Sequence, residues 1–451
     1  MKKLFFLLLI FLSVNVFSQA RVVSGPMLGP VELRDAKVWI EVSSEVKSVS
    51  LQYNKKGDLK NTKSIIYKGE LGNEFNPIQF AIGGLDFNTI YEYKFLINGK
   101  ATNYGGEFTT KDLWQWRKPA PDFSFLTGSC AYFNEPIYDR LGKPYGLDSS
   151  IFETMAKEKS AFCLWLGDNW YTREVDYYSE WGLWYRAHHD RAQPVLQKFL
   201  KSIPQFATWD DHDYGPNDIG KSYVLKNVSR NIFMKYFCNS SYGENGQGIY
   251  TMTSWGDADI FITDDRWFRS EDKMKDSIEG KPNPEKRMFG KQQMEWLKNA
   301  LLFSTAAFKI IAVGSQVLNP LSPYEKLGHY PVEYDELMNF LKENKINGVL
   351  FLTGDRHHSE VIKIDRPGSY PLFDITVSSF TAGTTGFDGP EKNSPYRVFE
   401  LGNKQNYGKF SFSERRGDRK LVVEFLGLKG EKLGEWNITE KELTTPSASN
   451  Q

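Results

Sequence analysis

Ala161-Phe162-Cys163-Leu164-Trp165-Leu166-Gly167-Asp168-Asn169-Trp170-Tyr171 is the segment that decides how this chain is read. Six apolar residues in a row predict a buried strand, and Gly-Asp directly after it puts a carboxylate at the strand's carboxyl end. Three other segments repeat the arrangement. Phe123 to Leu126 leads into Thr127-Gly128-Ser129-Cys130, and Phe206 to Trp209 leads into Asp210-Asp211-His212-Asp213-Tyr214-Gly215-Pro216-Asn217-Asp218. Val349 to Leu352 leads into Thr353-Gly354-Asp355-Arg356-His357. Ligands of open α/β sheets bind beyond the carboxyl ends of the strands, so the four ends predict one site assembled from the whole domain.

Around these segments strands and helices alternate from Asp122 onward. A helix capped by Asp148-Ser149 is expected through about Glu158, an aromatic helical region from Asp176 to Leu200 broken at Pro194, and amphipathic helices from Lys291 to Phe303 and Val332 to Asn344. Strands at Ile260 to Thr263 and Lys309 to Val313 continue the series, and after residue 358 the pattern is mostly β, ending with Lys420 to Leu426 and Leu433 to Ile438. Before it, Lys37 to Val42, Ser48 to Tyr53, Ile78 to Ile82 and Tyr91 to Ile97 are short alternating strands between turns. They predict a β-sandwich of immunoglobulin or fibronectin type over residues 21–112. The expected fold class is therefore α/β: a β-sandwich, then a sheet-and-helix domain over residues 120–443, then a polar tail at 444–451.

Residues 1–18 read as a signal peptide, with Lys2-Lys3 before the apolar stretch Leu4 to Leu12 and cleavage expected after Ser18. That stretch is shorter than the roughly 20 residues a spanning helix needs. No cysteine follows the cleavage point, so no lipid anchor is expected, and a periplasmic or secreted location is. In an oxidising compartment the three cysteines cannot all pair. Cys163, inside a strand, and Cys238, after a helix-like run from Arg230, read as small buried hydrophobes. Cys130, at a strand end, is placed as a thiolate ligand. With 56 basic against 56 acidic residues there is no net charge and no basic stripe, so nucleic-acid binding by electrostatics is not indicated. The aromatic content of 15% reads first as core packing.

In their order and separations the GSC, GDNWY, WDDHD and GDRHH segments, preceded by a β-sandwich, resemble the PhoD-type alkaline phosphatases (alkaline phosphatase D) among the metallophosphoesterases. The resemblance implies an αββα catalytic domain and an iron(III) ion held by Cys130, Asp168, Tyr171 and His357. It also implies that Asp168 bridges to calcium, which takes further ligands from Asp211 or Asn217 and from Asp355. The residue types agree with this. Thiolate, phenolate, carboxylate and imidazole form a strongly donating set suited to a trivalent ion, unlike the Cys/His sets of structural zinc. Carboxylate and amide oxygens suit a hard divalent ion. The segment Val313-Gly314-Ser315-Gln316-Val317 has Gln where related enzymes carry a further His, which makes zinc less apt.

The function expected is secreted, metal-dependent hydrolysis of small-molecule phosphate esters by a metal-activated hydroxide at a dinuclear centre. His212 is the candidate for protonating the leaving group or bonding the phosphoryl oxygen. Arg266, in Asp264-Asp265-Arg266-Trp267 after a strand, is the candidate phosphate clamp. His188 and His189 read as packing or surface residues, and His358 as pointing away from the site. Choice of ester stays open between a monoesterase and a phosphodiesterase with phospholipase D-like action. A second class is a calcium- or glycan-binding surface protein whose site no longer turns over, although no expected ligand is missing. A glycosidase built on the acidic loop would leave Cys130 unexplained. Oligomeric state is not legible.

Overall fold

Side chains on successive residues of a strand face opposite ways, and Ile90–Ile97 follows that rule, burying Tyr91, Tyr93, Phe95 and Ile97. In this computed structural model, which describes residues 20–446, the N-terminal strands form two antiparallel sheets. One has the order Val22–Val31, Asp35–Val42, Asn76–Gly83 and the other Lys63–Ile66, Val49–Lys55, Ile90–Ile97, Lys100–Thr109. Val38, Ile40 and Phe80 of the first share a core with Leu51, Tyr93 and Phe95 of the second. The expected signal peptide and residues 447–451 of the polar tail lie outside the described residues.

From Phe123 on, the central parallel strands are apolar runs rather than alternating ones, because both their faces are covered, whereas Tyr407–Ser413 and Lys420–Leu426 still alternate. Cys163–Leu166, Phe308–Val313 and Val349–Thr353 are buried throughout. A six-stranded sheet runs Gln205–Thr208, Cys163–Leu166, Phe123–Gly128, Tyr407–Ser413, Lys420–Leu426, Lys432–Thr439. Its first three strands are parallel and the rest antiparallel. A seven-stranded sheet runs Thr251–Trp255, Ala258–Ile262, Phe308–Val313, Val349–Thr353, Leu372–Thr376, Ser359–Ile364, Arg397–Leu401. Phe125, Leu164, Phe410 and Phe412 of the first sheet meet Ile310, Phe351 and Ile375 of the second in one core.

Helices cover the sheets. Ile151–Met155, Glu180–Arg191, Gln197–Ser202 and Lys226–Tyr236 pack through Phe152, Leu183, Phe199 and Phe233 against Trp165 and Ala207. Gly290–Phe303 and Pro331–Glu343 pack through Leu297, Leu301, Leu337 and Leu341 into the core of the two sheets. The expected Asp176–Leu200 helical region is thus two helices with a 3-10 turn at Pro194–Leu196, since Pro194 cannot supply the amide a continuous helix needs.

The N-terminal sheets are fastened to this domain through buried polar contacts. Glu41 is fully buried, accepts from Tyr236 Oη at 2.8 Å and lies 2.8 Å from His188 Nδ1. Trp39 Nε1 donates to the Lys235 carbonyl at 2.8 Å. The carboxyl ends of the three parallel strands Phe123–Gly128, Cys163–Leu166 and Gln205–Thr208 therefore lie side by side, and Val349–Thr353 of the facing sheet brings a fourth loop to them.

Candidate metal centre

The loops that follow these strand ends turn sharply. Cys130, Asp168, Asp355 and His357 have φ of 62°, 52°, 65° and 59°, in the left-handed region that non-glycine residues seldom occupy and that recurs at functional sites. The loops also press on one another. A Cβ on Gly167 would lie 2.5 Å from Asp210 Cβ, and one on Gly354 would lie 2.6 Å from the Leu166 carbonyl. Gly-Asp recurs because only glycine lets two such loops approach this closely.

The side chains aimed inward form a chain of three overlapping clusters, each with ligand atoms within 4.8 Å of one another. Cys130, Asp168 and His357 form the first, Asp168, Asp211 and His212 the second, and Asp211, Asp218 and Glu325 the third. Asp168 belongs to two of them. Cys130 Sγ is 3.6 Å from Asp168 Oδ2, and Ser378 Oγ donates to the thiol at 3.2 Å. Tyr171 Oη lies 3.4 Å from His357 Nε2, and its ring centroid lies 4.2 Å from that of His212. The His212 amide donates to Asp211 Oδ1 at 2.9 Å and to Asp168 Oδ1 at 3.3 Å.

Burial and mutual repulsion dominate the electrostatics. Burial, then the Asp355 charge, pushes the Cys130 thiol up to about 11. Burial, then Cys130 and Asp211, raises Asp168 well above the carboxylate range, and burial, then Glu325 and Asp211, pushes Asp355 up to about 7. Burial also raises the Tyr171 phenol. Asp211 goes the other way, to about 2, because His212, Arg266 and the Asp218 amide outweigh its burial. Four buried polar atoms around the clusters, His212 Nδ1, Asp210 Oδ2, Asp265 Oδ1 and Asn169 Oδ1, have no hydrogen-bond partner among the described residues. Crowded acceptors that repel one another when ionised are the environment a cation relieves. The donor set fits metal ions.

Behind the clusters, Asp213 accepts from the Asn169 amide at 2.7 Å and from the Asp210 amide at 2.9 Å, tying the Asp168 loop to the short helix Asp211–Tyr214. Arg266 belongs to this supporting layer, and the expectation that it clamps phosphate is corrected here. Its guanidinium is fully buried and bonds Asp210 and Glu325, with Glu325 Oε1 and Oε2 at 2.9 and 2.6 Å. Asn217 is exposed, and the neighbouring Asp218 is the residue that joins Asp211 in a cluster. Gln316 turns to Glu360, Thr376 and Arg356. His358 packs on Phe387 with its Nε2 3.6 Å from Glu360. Glu325 and Tyr145 carried no signal in the sequence, since neither follows a strand. Tyr145 Oη lies 3.3 Å from His357 Nδ1. From Asp355 and His357 a cleft of about 550 Å³ opens between Tyr145, Tyr324 and the loop at 383–391.

Residues 125–424 match the family model of the PhoD-like phosphatases. Alkaline phosphatase D of Bacillus subtilis (strain 168) is 26% identical over 356 residues, an alignment that covers 68% of this chain but only 58% of that relative's length. Among solved structures, PhoD superposes with a TM-score of 0.73 at 20% identity, covering 94% of this chain and 90% of that one. Purple acid phosphatase PPD1 from yellow lupin (Lupinus luteus) seeds follows with a TM-score of 0.67 at 11% identity, covering 94% and 77%. At these identities the two structures speak for a metallophosphoesterase-like α/β fold.

Proposed function

From the premise that this chain belongs to the PhoD-like phosphatase family, we propose that it is a secreted, metal-dependent phosphoric ester hydrolase with a dinuclear centre. The observation that carries this reading is the place of Asp168 in two adjoining ligand clusters, which lets one carboxylate serve two ions. In the proposal iron(III) is held by Cys130, Asp168, Tyr171 and His357, and calcium by Asp168, Asp211 and Asp355. Bound there, the two ions lower the proton affinity of water and offset charge on the phosphoryl group.

The protein's own groups do the rest. His212 is held by its amide on Asp211 and Asp168 and by its ring on Tyr171, while Nδ1 has no hydrogen-bond partner among the described residues. It is placed to bond a phosphoryl oxygen or to deliver a proton to the leaving oxygen. Arg266 fixes Asp210 and Glu325, and Asp213 fixes the Asp168 loop, so the ligands keep their aim without substrate. We read the N-terminal sheets, with strand orders that divide three against four, as an immunoglobulin- or fibronectin-like sandwich acting as scaffold. Secretion rests on the leader-like first eighteen residues. No described helix is long and apolar enough to cross a membrane.

Hydrolysis of p-nitrophenyl phosphate and bis(p-nitrophenyl) phosphate, before and after chelation and after return of iron and calcium, tests the reading. Chelator-sensitive turnover of either ester is expected, and the favoured one assigns monoesterase or diesterase action. A folded, metal-replete protein inactive on both would move the chain to the ion-binding class.

A further inference from the structure

We propose that the cleft beside the metal centre is a leaving-group subsite for alcohols that contain a planar aromatic ring and carry no negative charge, the phenols of aryl phosphate esters and the base-bearing nucleosides of nucleoside phosphate esters. The inference rests on the phosphoesterase reading of the same site. In hydrolysis the bond from phosphorus to the ester oxygen breaks, a bond to water oxygen forms, and the departing oxygen takes a proton. That oxygen leaves into whatever space adjoins the metal ligands. Here the space begins at Asp355 and His357 and measures about 550 Å³, within the roughly 300 to 1,000 Å³ of pockets that enclose small molecules.

Its walls are aromatic. Tyr324 is 61% exposed and Tyr145 44% exposed, although large rings are ordinarily buried. The Arg356 guanidinium lies over the Tyr324 ring, 4.7 Å from its centroid, which covers one face and leaves the rest of the ring open. Tyr145 is braced edge-on by Tyr132 at 5.0 Å between centroids. Gly383, Thr384, Thr385 and Gly386 form a further wall; the Thr385 hydroxyl and amide are taken by the Arg356 and His357 carbonyls, which leaves the Thr384 hydroxyl to bond ring heteroatoms.

Charge narrows the class further. Among the described residues Arg356 is the one cationic side chain lining the cleft, and its guanidinium is engaged by Glu391 at 2.7 Å, Ser322 at 2.7 Å and Gln316 at 2.5 Å. The Asp388 carboxylate lines the cleft and is exposed. A leaving group bearing a carboxylate or second phosphate would meet that charge with no free cation among the described lining residues. A neutral ring would stack on Tyr324.

The test compares kcat/KM of the metal-loaded wild type, Tyr324→Ala and Tyr324→Phe on phenyl phosphate, adenosine 5′-monophosphate and glycerol 2-phosphate. Stacking of a ring on an aromatic side chain is worth enough that Tyr324→Ala should lose about 10-fold on an aromatic ester. Glycerol 2-phosphate should stay within about twofold and Tyr324→Phe should keep the preference. A loss confined to phenyl phosphate supports phenolic leaving groups, and one confined to the nucleotide supports nucleosides. In a second arm, wild type should favour phenyl phosphate over 4-carboxyphenyl phosphate, and Asp388→Lys should narrow that gap. Equal effects of Tyr324→Ala on all three esters, or none, overturn the subsite while leaving the phosphoesterase reading standing. A wild type that hydrolyses none of them overturns both.

Discussion

Replacing Asp168 by Asn should change stability in opposite directions with and without metal. The substitution keeps the shape, and asparagine tolerates the left-handed backbone that Asp168 adopts at φ 52°. Asp168 and Asp211 present ligand atoms no more than 4.8 Å apart, a separation at which two full charges repel by ~3.5 kcal/mol at an effective dielectric of 20. Burial, then Cys130 and Asp211, raise the proton affinity of Asp168, so this repulsion is an upper bound. A gain of about 1 to 3 kcal/mol is therefore expected for Asp168→Asn in metal-free protein. With iron and calcium present the order should reverse, because the variant lacks the shared ligand. Turnover should fall by more than the roughly 10- to 100-fold typical of losing a group that only orients a ligand. Urea unfolding in chelator and in saturating metal, with hydrolysis measured in parallel, provides the assay. An Asp168→Asn protein less stable than wild type in chelator, or one with near-normal turnover, would refute the reasoning.

Arg266→Met should cost about 3 to 5 kcal/mol by urea unfolding, because it leaves Asp210 buried without its cation, while Glu325 keeps only Arg269; a stable variant with only a raised KM would restore the clamp reading. Glu41→Gln should cost about 1 to 3 kcal/mol by weakening the bonds of this buried carboxylate to His188 and Tyr236 between the N-terminal sheets and the α/β domain, with the same measurement as check. Native protein should react with a thiol reagent at none of Cys130, Cys163 and Cys238, all buried and unpaired, and at all three once unfolded. Fast labelling of the native state would show that a loop of the centre opens.

The candidate site was legible wherever a proposed ligand follows a strand. Cys130, Asp168, Asp211 and Asp355 each sit just beyond an apolar run, and a parallel sheet brings such positions together whatever the loops do. His357 came with them because it lies two residues from Asp355. Glu325 did not, since Ser322-Pro323-Tyr324-Glu325-Lys326 has no periodicity and its partner Asp211 is more than a hundred residues away in the chain. Arg266 was misread for a related reason: arginine after a strand is compatible with phosphate binding, but only the fold shows that Asp210 and Glu325 already occupy its donors. His358 is turned from the centre by the left-handed His357 rather than by simple alternation along an extended strand. The helices followed their apolar periodicity to within a few residues, and the break expected at Pro194 is there.

Anomalous diffraction from crystals grown with iron and calcium, recorded at the iron edge and away from it, is the most direct test of the bridged centre. The account predicts an iron peak bounded by Cys130, Tyr171 and His357, and a second ion beside Asp211 and Asp355, with the Asp168 carboxylate between them. Iron bound elsewhere, or a single ion with Asp168 facing away from it, would contradict it.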